Sequence, residues 1–208
     1  MSNVHIVKHP LLLDKVSRLR DKETGAQEFR QLTKEISIML AVEATRHFPL
    51  SEIKIATPME STTAHRINSD IVLLPILRAG LGMVEGFLNL LPMAKIGYLG
   101  VHRNEKTLAP VSYYHNFPKN LDRAEIFVLD PMLATGGSAN YCLSLIKEHG
   151  GRKMTIVTII SAPEGVEHVS QNHPDVRIVT ASVDRELNEH GYILPGLGDA
   201  GDRLNGTF

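Results

Sequence analysis

Asp130 and the run Thr135-Gly136-Gly137-Ser138 begin five residues apart, and their chemistries are complementary. Two adjacent glycines let a backbone approach a ligand closely and expose successive N–H groups, which suits a phosphate. Thr135 and Ser138 add hydroxyl donors. An apolar segment, Ile126 to Leu129, precedes the acid, and a helical segment through Tyr141, Leu143, Leu145 and Ile146 follows the glycines. The start of that helix would add its positive end. A carboxylate does not bind phosphate, but it accepts hydrogen bonds from ribose hydroxyls or holds a metal through water. Acid and nest together suggest a ribose 5-phosphate. The glycines alone read equally well as a tight turn between strand and helix. The Gly-Lys-Ser/Thr ending of a Walker loop is absent, and so is Gly-x-Gly-x-x-Gly.

Two arginines also follow apolar segments. Ile71 to Leu77, broken only by Pro75, ends in Arg78-Ala79-Gly80. A guanidinium beside two small residues offers an anion both a fork and backbone N–H groups; a surface arginine before a helix explains the same residues. Lys95 to Val101 is followed by Arg103. His65, His102, His115, His149, His168, His173 and His190 are scattered, without the short paired spacing of zinc ligands. Asp122, Asp175 and Asp184 read as solvated charges. Cys142, the single cysteine, supports neither a disulfide scaffold nor covalent catalysis.

The elements that must position these groups follow from periodicity. Pro10 suits the first turn of a short helix through Leu13, Val16 and Leu19. Phe29, Leu32, Ile36, Leu40 and Ala44 recur at helical spacing, so a helix is expected over about 25–47, with Thr24 and Gln27 as a capping box. Ile53 to Thr57 reads as an edge strand. The run 71–77 suits a parallel strand covered on both faces, and Leu81 to Leu91 a helix closed by Pro92. Strands are expected over 95–101, 126–129, 154–160 and 176–182, and a helix over 163–173. Residues of about 107–125 lack a helical period and read as a hairpin arm projecting from the sheet, able to pack on another subunit. The tail, about 184–208, carries five glycines; Tyr192, Ile193 and Leu194 favour an ordered loop over a site.

Strands alternating with helices give an α/β fold, a mostly parallel open sheet flanked by helices, as one domain over residues 1–208. Such sheets bind ligands beyond the carboxyl ends of strands. Arg78, Arg103, Asp130 and the residues after Ser182 all fall on that rim. A formal net charge of −1 supplies no global field for nucleic acid or an anionic membrane. No apolar run approaches the ~20 residues of a membrane span, and Met1 to Lys8 lacks the apolar centre of a signal peptide. A cytoplasmic protein with neither nucleic-acid nor membrane partners is expected.

Asp130-Pro131-Met132-Leu133-Ala134-Thr135-Gly136-Gly137-Ser138 resembles the 5-phosphoribosyl-1-pyrophosphate (PRPP) loop of type I phosphoribosyltransferases. Pro131, in place of a second acid, resembles the form of that loop in the uracil phosphoribosyltransferase family. His9-Pro10, Arg20-Asp-Lys22, Glu43-Ala-Thr-Arg46, Pro75 to Met83, Ala162-Pro-Glu-Gly165 and Gly191 to Arg203 extend the resemblance over essentially the whole chain. The last segment is specific to the uracil branch.

The resemblance implies the type I phosphoribosyltransferase fold with a C-terminal base-binding hood. It implies a pentosyltransferase of pyrimidine salvage that converts uracil and PRPP to UMP and pyrophosphate. Arg78, Arg103, Asp130, Pro131 to Ser138 and Asp199 would contact PRPP, with Arg78, Asp130 and Asp199 as the catalytic residues. Ile193, Gly198, Asp199 and Ala200 would contact uracil. Mg²⁺ is the implied cofactor, held mainly by PRPP and water, with Asp199 reaching it through water. A homodimer or higher homo-oligomer is implied, and GTP is an effector of some members. His102, Asn104 and Asn205 depart from the Tyr, Asp and aromatic residues usual there. The rival readings are an RNA-binding regulator on the same fold and a transferase for a purine or orotate. The near-neutral charge argues against the first, and Pro131 with Gly191 to Arg203 against the second. A dinucleotide-dependent dehydrogenase is more distant, since its fingerprint is absent.

Overall fold

Continuous runs of branched apolar residues supply the centre of a mixed sheet in the computed structural model. It describes residues 3–103 and 110–207, apart from the side chains of 102, 103 and 110. The chain opens with β1 (Val4–Ile6), α1 (Pro10–Arg20) and α2 (Ala26–Ala44), followed by a hairpin of β2 (Leu50–Ala56) and β3 (Ser61–Ile67). Next come β4 (Ile71–Leu77), α3 (Leu81–Leu90), β5 (Lys95–Ile96), β6 (Tyr98–Arg103) and β7 (Pro110–Asn116). β8 (Glu125–Leu129), β9 (Met132–Leu133), α4 (Gly137–Glu148), β10 (Lys153–Ser161), α5 (Pro163–Asn172) and β11 (Arg177–Val183) follow. The tail holds β12 (Glu186–Leu187), β13 (Ile193–Leu194) and α6 (Ala200–Asn205).

The main sheet runs β1-β11-β10-β8-β4-β6-β7 and is parallel except where β7 turns back antiparallel on β6. Alternate residues of its central strands enter two separate cores. Leu73, Phe127, Leu129, Val157 and Val179 pack with α1, α2 and α3, while Val72, Leu74, Val128, Ile156 and Ile178 pack with α4 and α5. Burial on both faces is why these strands read as unbroken apolar runs. Pro75 is tolerated in a central strand because it lies at a break in its neighbour. β5 pairs with Val72 and Leu73, and pairing resumes on β6 only at Ile76. The missing proline N–H falls in that gap.

Several expectations change. Gly25, not Thr24, is the N-cap of α2 and makes no side-chain cap. The Thr24 hydroxyl instead donates to the Arg18 carbonyl at 2.6 Å, closing the end of α1. Residues 110–116 form the edge of the main sheet, paired with β6. The hairpin that stands away from the sheet is β2–β3, where six of seven residues in each strand are exposed. Asp184 is not a solvated charge: its side chain is 2% exposed and receives Arg20 Nη1 and Nη2 at 2.6 and 2.5 Å. Burial raises the pKa of that carboxyl. Hydrogen bonds from Arg20, Ser182 and the Gly196 N–H outweigh this and hold it below its usual value.

Arg203 fastens the tail from the other side. Its Nη1 donates to the carbonyls of Leu19 and Leu197 at 2.8 and 2.9 Å, and its Nη2 to those of Asp21 and Thr24 at 2.6 and 3.2 Å. The guanidinium carbon lies 4.4 Å from the centre of the Phe29 ring. Burial lowers the pKa of this group, yet a guanidinium stays charged. Arg203→Ala strands buried carbonyls and is expected to lower unfolding stability by about 2–4 kcal/mol in urea titrations. Arg203→Lys should recover less than half of this, because an ammonium cannot reproduce the planar fork. An unchanged urea midpoint for the alanine variant would remove the fastening role.

Candidate active site

The carboxyl ends of β4 and β8 lie side by side, since β4 pairs with β8 through Pro75 and Leu129. The next residues therefore reach one rim. Arg78 follows β4 across a cis Leu77–Arg78 peptide, and Asp130 follows β8. Asp130 donates its backbone N–H to the Val157 carbonyl at 3.2 Å, which seats it on the central sheet. The chain then runs along β10 as β9, with Met132 opposite Ile160 and Leu133 opposite Ser161. The Pro131 carbonyl accepts from Ile159 and Ile160, both at 3.0 Å. Gly136, at φ +79°, makes the sharp left-handed entry into α4, a conformation that costs glycine little.

Arg78, Asp130, Ser138 and Asp199 line one cavity of about 240 Å³, with Ala79 and Gly201 among its walls. Asp130 and residues 132–139 line an adjoining recess of about 110 Å³. A larger cleft of about 490 Å³ lies between Arg20, Lys22 and Thr24 and the segment Pro195 to Asp199. Asp199 thus borders both spaces. It is also the N-cap of α6, accepting from the Asp202 N–H at 2.9 Å. Arg78 Nη2 lies 3.5 Å from Asp202 Oδ1.

Gly198, at φ +81°, lines the outer cleft. Ile193 and Ala200 are buried, Ile193 opposite Leu187 in the β12–β13 pair. Neither residue lines any of these three spaces, so the cavities bring together Gly198 and Asp199 but not Ile193 and Ala200. The main chain of Arg103 ends β6, but its side chain, like Asn104, lies outside the described residues. Asn205 Nδ2 donates to the Gly201 carbonyl at 2.7 Å, a bond within α6.

Three groups escaped the sequence reading of the site. Asp202 faces Arg78, which no local pattern announces. Lys22 and Thr24 border the outer cleft; the place of Lys22 in the Arg20-Asp-Lys22 stretch was the available hint, and Thr24 had none. His168 Nδ1 lies 3.0 Å from the Thr135 carbonyl, a contact with a backbone atom that residue types do not reveal.

Asp130 carries the strongest electrostatic signal at the rim. Burial pushes its pKa from 3.8 up to about 7, and Asp199 pushes the same way, against a hydrogen bond from the Met132 N–H. Among the described residues no group of three or more His, Cys, Asp or Glu side chains is placed to hold a metal ion.

The family model described as uracil phosphoribosyltransferase matches residues 6–207. The chain belongs to the uracil phosphoribosyltransferase family. A uracil phosphoribosyltransferase of Fervidobacterium nodosum is 55% identical over 202 residues, covering 97% of this chain and 98% of the relative. That of Finegoldia magna is 51% identical over 208 residues, the full length of both. A solved protein of Aquifex aeolicus superposes with a TM-score of 0.93 at 40% identity, covering 98% of each chain. An adenine phosphoribosyl transferase of Trypanosoma brucei, solved with AMP, pyrophosphate and ribose-5-phosphate, reaches a TM-score of 0.62 over 96% of this chain and 89% of its own. At 12% identity that likeness shows the fold alone. As a uracil phosphoribosyltransferase this chain is a phosphoribosyl-transferring enzyme, a role consistent with pyrimidine salvage.

The raised Asp130 pKa has a stability consequence for the enzyme without substrates. Between about pH 4 and about pH 7 the folded state holds a proton that the unfolded state has released. Stability from this group therefore falls as pH rises through that window and is flat above it. The shift bounds the effect at about 4 kcal/mol. Asp130→Asn is expected to match the wild type at pH 4 and to gain on it by pH 8 in urea titrations. Parallel profiles would mean that Asp130 titrates as an ordinary carboxylate.

Proposed function

We propose that PRPP binds with its 5-phosphate in the recess of residues 132–139, its ribose hydroxyls on Asp130 and its pyrophosphate toward Arg78. Uracil then lies against the segment 193–200. The observation that carries this reading is the convergence of Arg78, Asp130, Ser138 and Asp199 on one cavity. The loop brings backbone N–H groups, the Thr135 and Ser138 hydroxyls and the start of α4 to the phosphate. Uracil presents a C4 carbonyl, an N3–H and a C2 carbonyl along one edge. Main-chain groups of Ile193 and Gly198 to Ala200 suit that edge, because the glycine admits close approach.

In the transfer, uracil N1 bonds to ribose C1 as the bond from C1 to the pyrophosphate oxygen breaks, and the N1 proton passes to solvent water. The transition state resembles an oxocarbenium ion, as in other glycosyl transfers. The protein's main contribution is alignment of the two reactants. Asp130 orients the ribose hydroxyls. Arg78, with Arg103 from the end of β6, meets the charge that grows on the departing pyrophosphate. Asp199, bordering both spaces, orients the base and the water shell beside PRPP.

Mg²⁺ would help neutralise the pyrophosphate. The donor set fits such an ion: two carboxylates, Asp130 and Asp199, adjoin one cavity, and there is no protein cage among the described residues. Magnesium is commonly held by substrate oxygens and water with few protein ligands; Asp199 would reach it through water. Family membership also supports a homodimer or higher homo-oligomer, GTP as an effector and a cytoplasmic location. The exposed Leu50, Ile55 and Ile67 on β2–β3 favour self-association. Among the described residues no helix is long and apolar enough to cross a membrane.

Labelled uracil should be converted to UMP only when PRPP and Mg²⁺ are both supplied; no UMP at saturation would sink the reading. Arg78→Ala is expected to raise the KM for PRPP by at least about tenfold while the KM for uracil stays within about twofold. A rise confined to the uracil KM would contradict the placement of the pyrophosphate.

A further inference from the structure

Helix α5 follows β10 directly, and its first two turns touch two parts of the site that are far apart in sequence. Gly165 is the first contact. A Cβ there would lie 2.3 Å from the Ala134 carbonyl oxygen and 2.9 Å from that of Leu133. Helix main chain therefore rests directly on loop main chain. Gly136 meets the same surface: a Cβ on it would lie 3.0 Å from the Gly165 carbonyl oxygen. One turn further on, His168 Nδ1 lies 3.0 Å from the Thr135 carbonyl. A carbonyl has no proton to give, so Nδ1 carries the hydrogen and donates.

The third contact reaches the C-terminal segment. Glu164 Oε1 accepts the Leu187 N–H at 3.0 Å. Leu187 is paired with Ile193 across β12 and β13. Glu164 and His168 are four residues apart, so they share one side of the helix. One rigid element thus holds the glycine loop with one side chain and the start of the C-terminal segment with another.

We infer that α5 is a bracket that sets the separation of phosphate and base, with Glu164 and His168, on its first two turns, as positioning residues. The inference rests on the placement of phosphate and uracil proposed above. His168 holds the carbonyl between Thr135 and Gly136, which keeps the following N–H groups directed at the phosphate. Glu164 holds β12, and through it the main chain of Ile193.

Steady-state kinetics with both substrates varied tests this. His168→Ala is expected to raise the KM for PRPP about fivefold, the worth of one neutral hydrogen bond, with the KM for uracil within about twofold. His168→Asn should restore it, since the amide nitrogen takes the place of Nδ1. Glu164→Ala should raise the uracil KM by a similar factor and leave that for PRPP, and Glu164→Gln should restore it through its amide oxygen. Circular dichroism melts verify that each variant is folded. An alanine variant with its assigned KM unmoved, equal shifts in both KM values, or failed rescue by the matching amide would overturn the bracket. Ser138→Ala separates the two levels. If it raises the PRPP KM while His168→Ala does not, the bracket falls and the loop reading stands. If neither moves, the phosphate lies elsewhere and both fall.

Discussion

Arg203 is buried with its charge directed at main-chain carbonyls of Leu19, Asp21, Thr24 and Leu197, and the C-terminal segment sits where it does because of that arrangement. The segment has little regular structure of its own: two short strands and six residues of helix. Its position must come from side chains. Arg20 completes the attachment, reaching both oxygens of Asp184 and the Gly196 carbonyl. Two guanidiniums pointing in opposite directions along the chain, one from α1 into the tail and one from the tail into the α1–α2 connection, lock the segment over the sheet. Such groups are costly to bury and costly to remove once buried. They fix Gly198 and Asp199 beside the carboxyl ends of β4 and β8, strands that end far earlier in the chain at Leu77 and Leu129.

That attachment makes the chemistry of the rim comprehensible. The sheet brings Arg78 and Asp130 together because β4 and β8 are neighbours, and neither position depends on a loop finding its own conformation. The tail then adds Asp199. A desolvated acid with a second acid nearby prefers to hold a proton. The same place suits ribose hydroxyls, which bring donors that favour the charged form.

Much of the fold was legible because its signals are local. Pro10 and Pro163 open helices at their first position, and the unbroken runs of β4, β8 and β10 announce strands covered on both faces. The phosphate loop could be read for the same reason: strand, acid, glycines and helix are contiguous. What escaped depends on distant partners. Asp184 looks like any surface acid until Arg20, 164 residues away, is seen beside it. β3 is polar and exposed along nearly its whole length, so no alternation marks it. The tyrosine-rich stretch 111–117 suits a projecting arm as well as a sheet edge, and only pairing with β6 decides. Thr24 had the right spacing for a cap, but its hydroxyl found the Arg18 carbonyl first.

The contact between Gly136 and Gly165 has a further consequence, for how this enzyme can be redesigned. Where two elements meet through side chains, a change on one side can be absorbed by repacking the other. Here the meeting atoms are backbone, with a Cβ on Gly165 reaching to 2.3 Å of a carbonyl oxygen. The phosphate half is therefore a part of invariant dimensions. Attempts to broaden the choice of base belong in the tail, between β12 and α6, at side chains other than Arg203 and the Arg20–Asp184 pair that hold the segment in place.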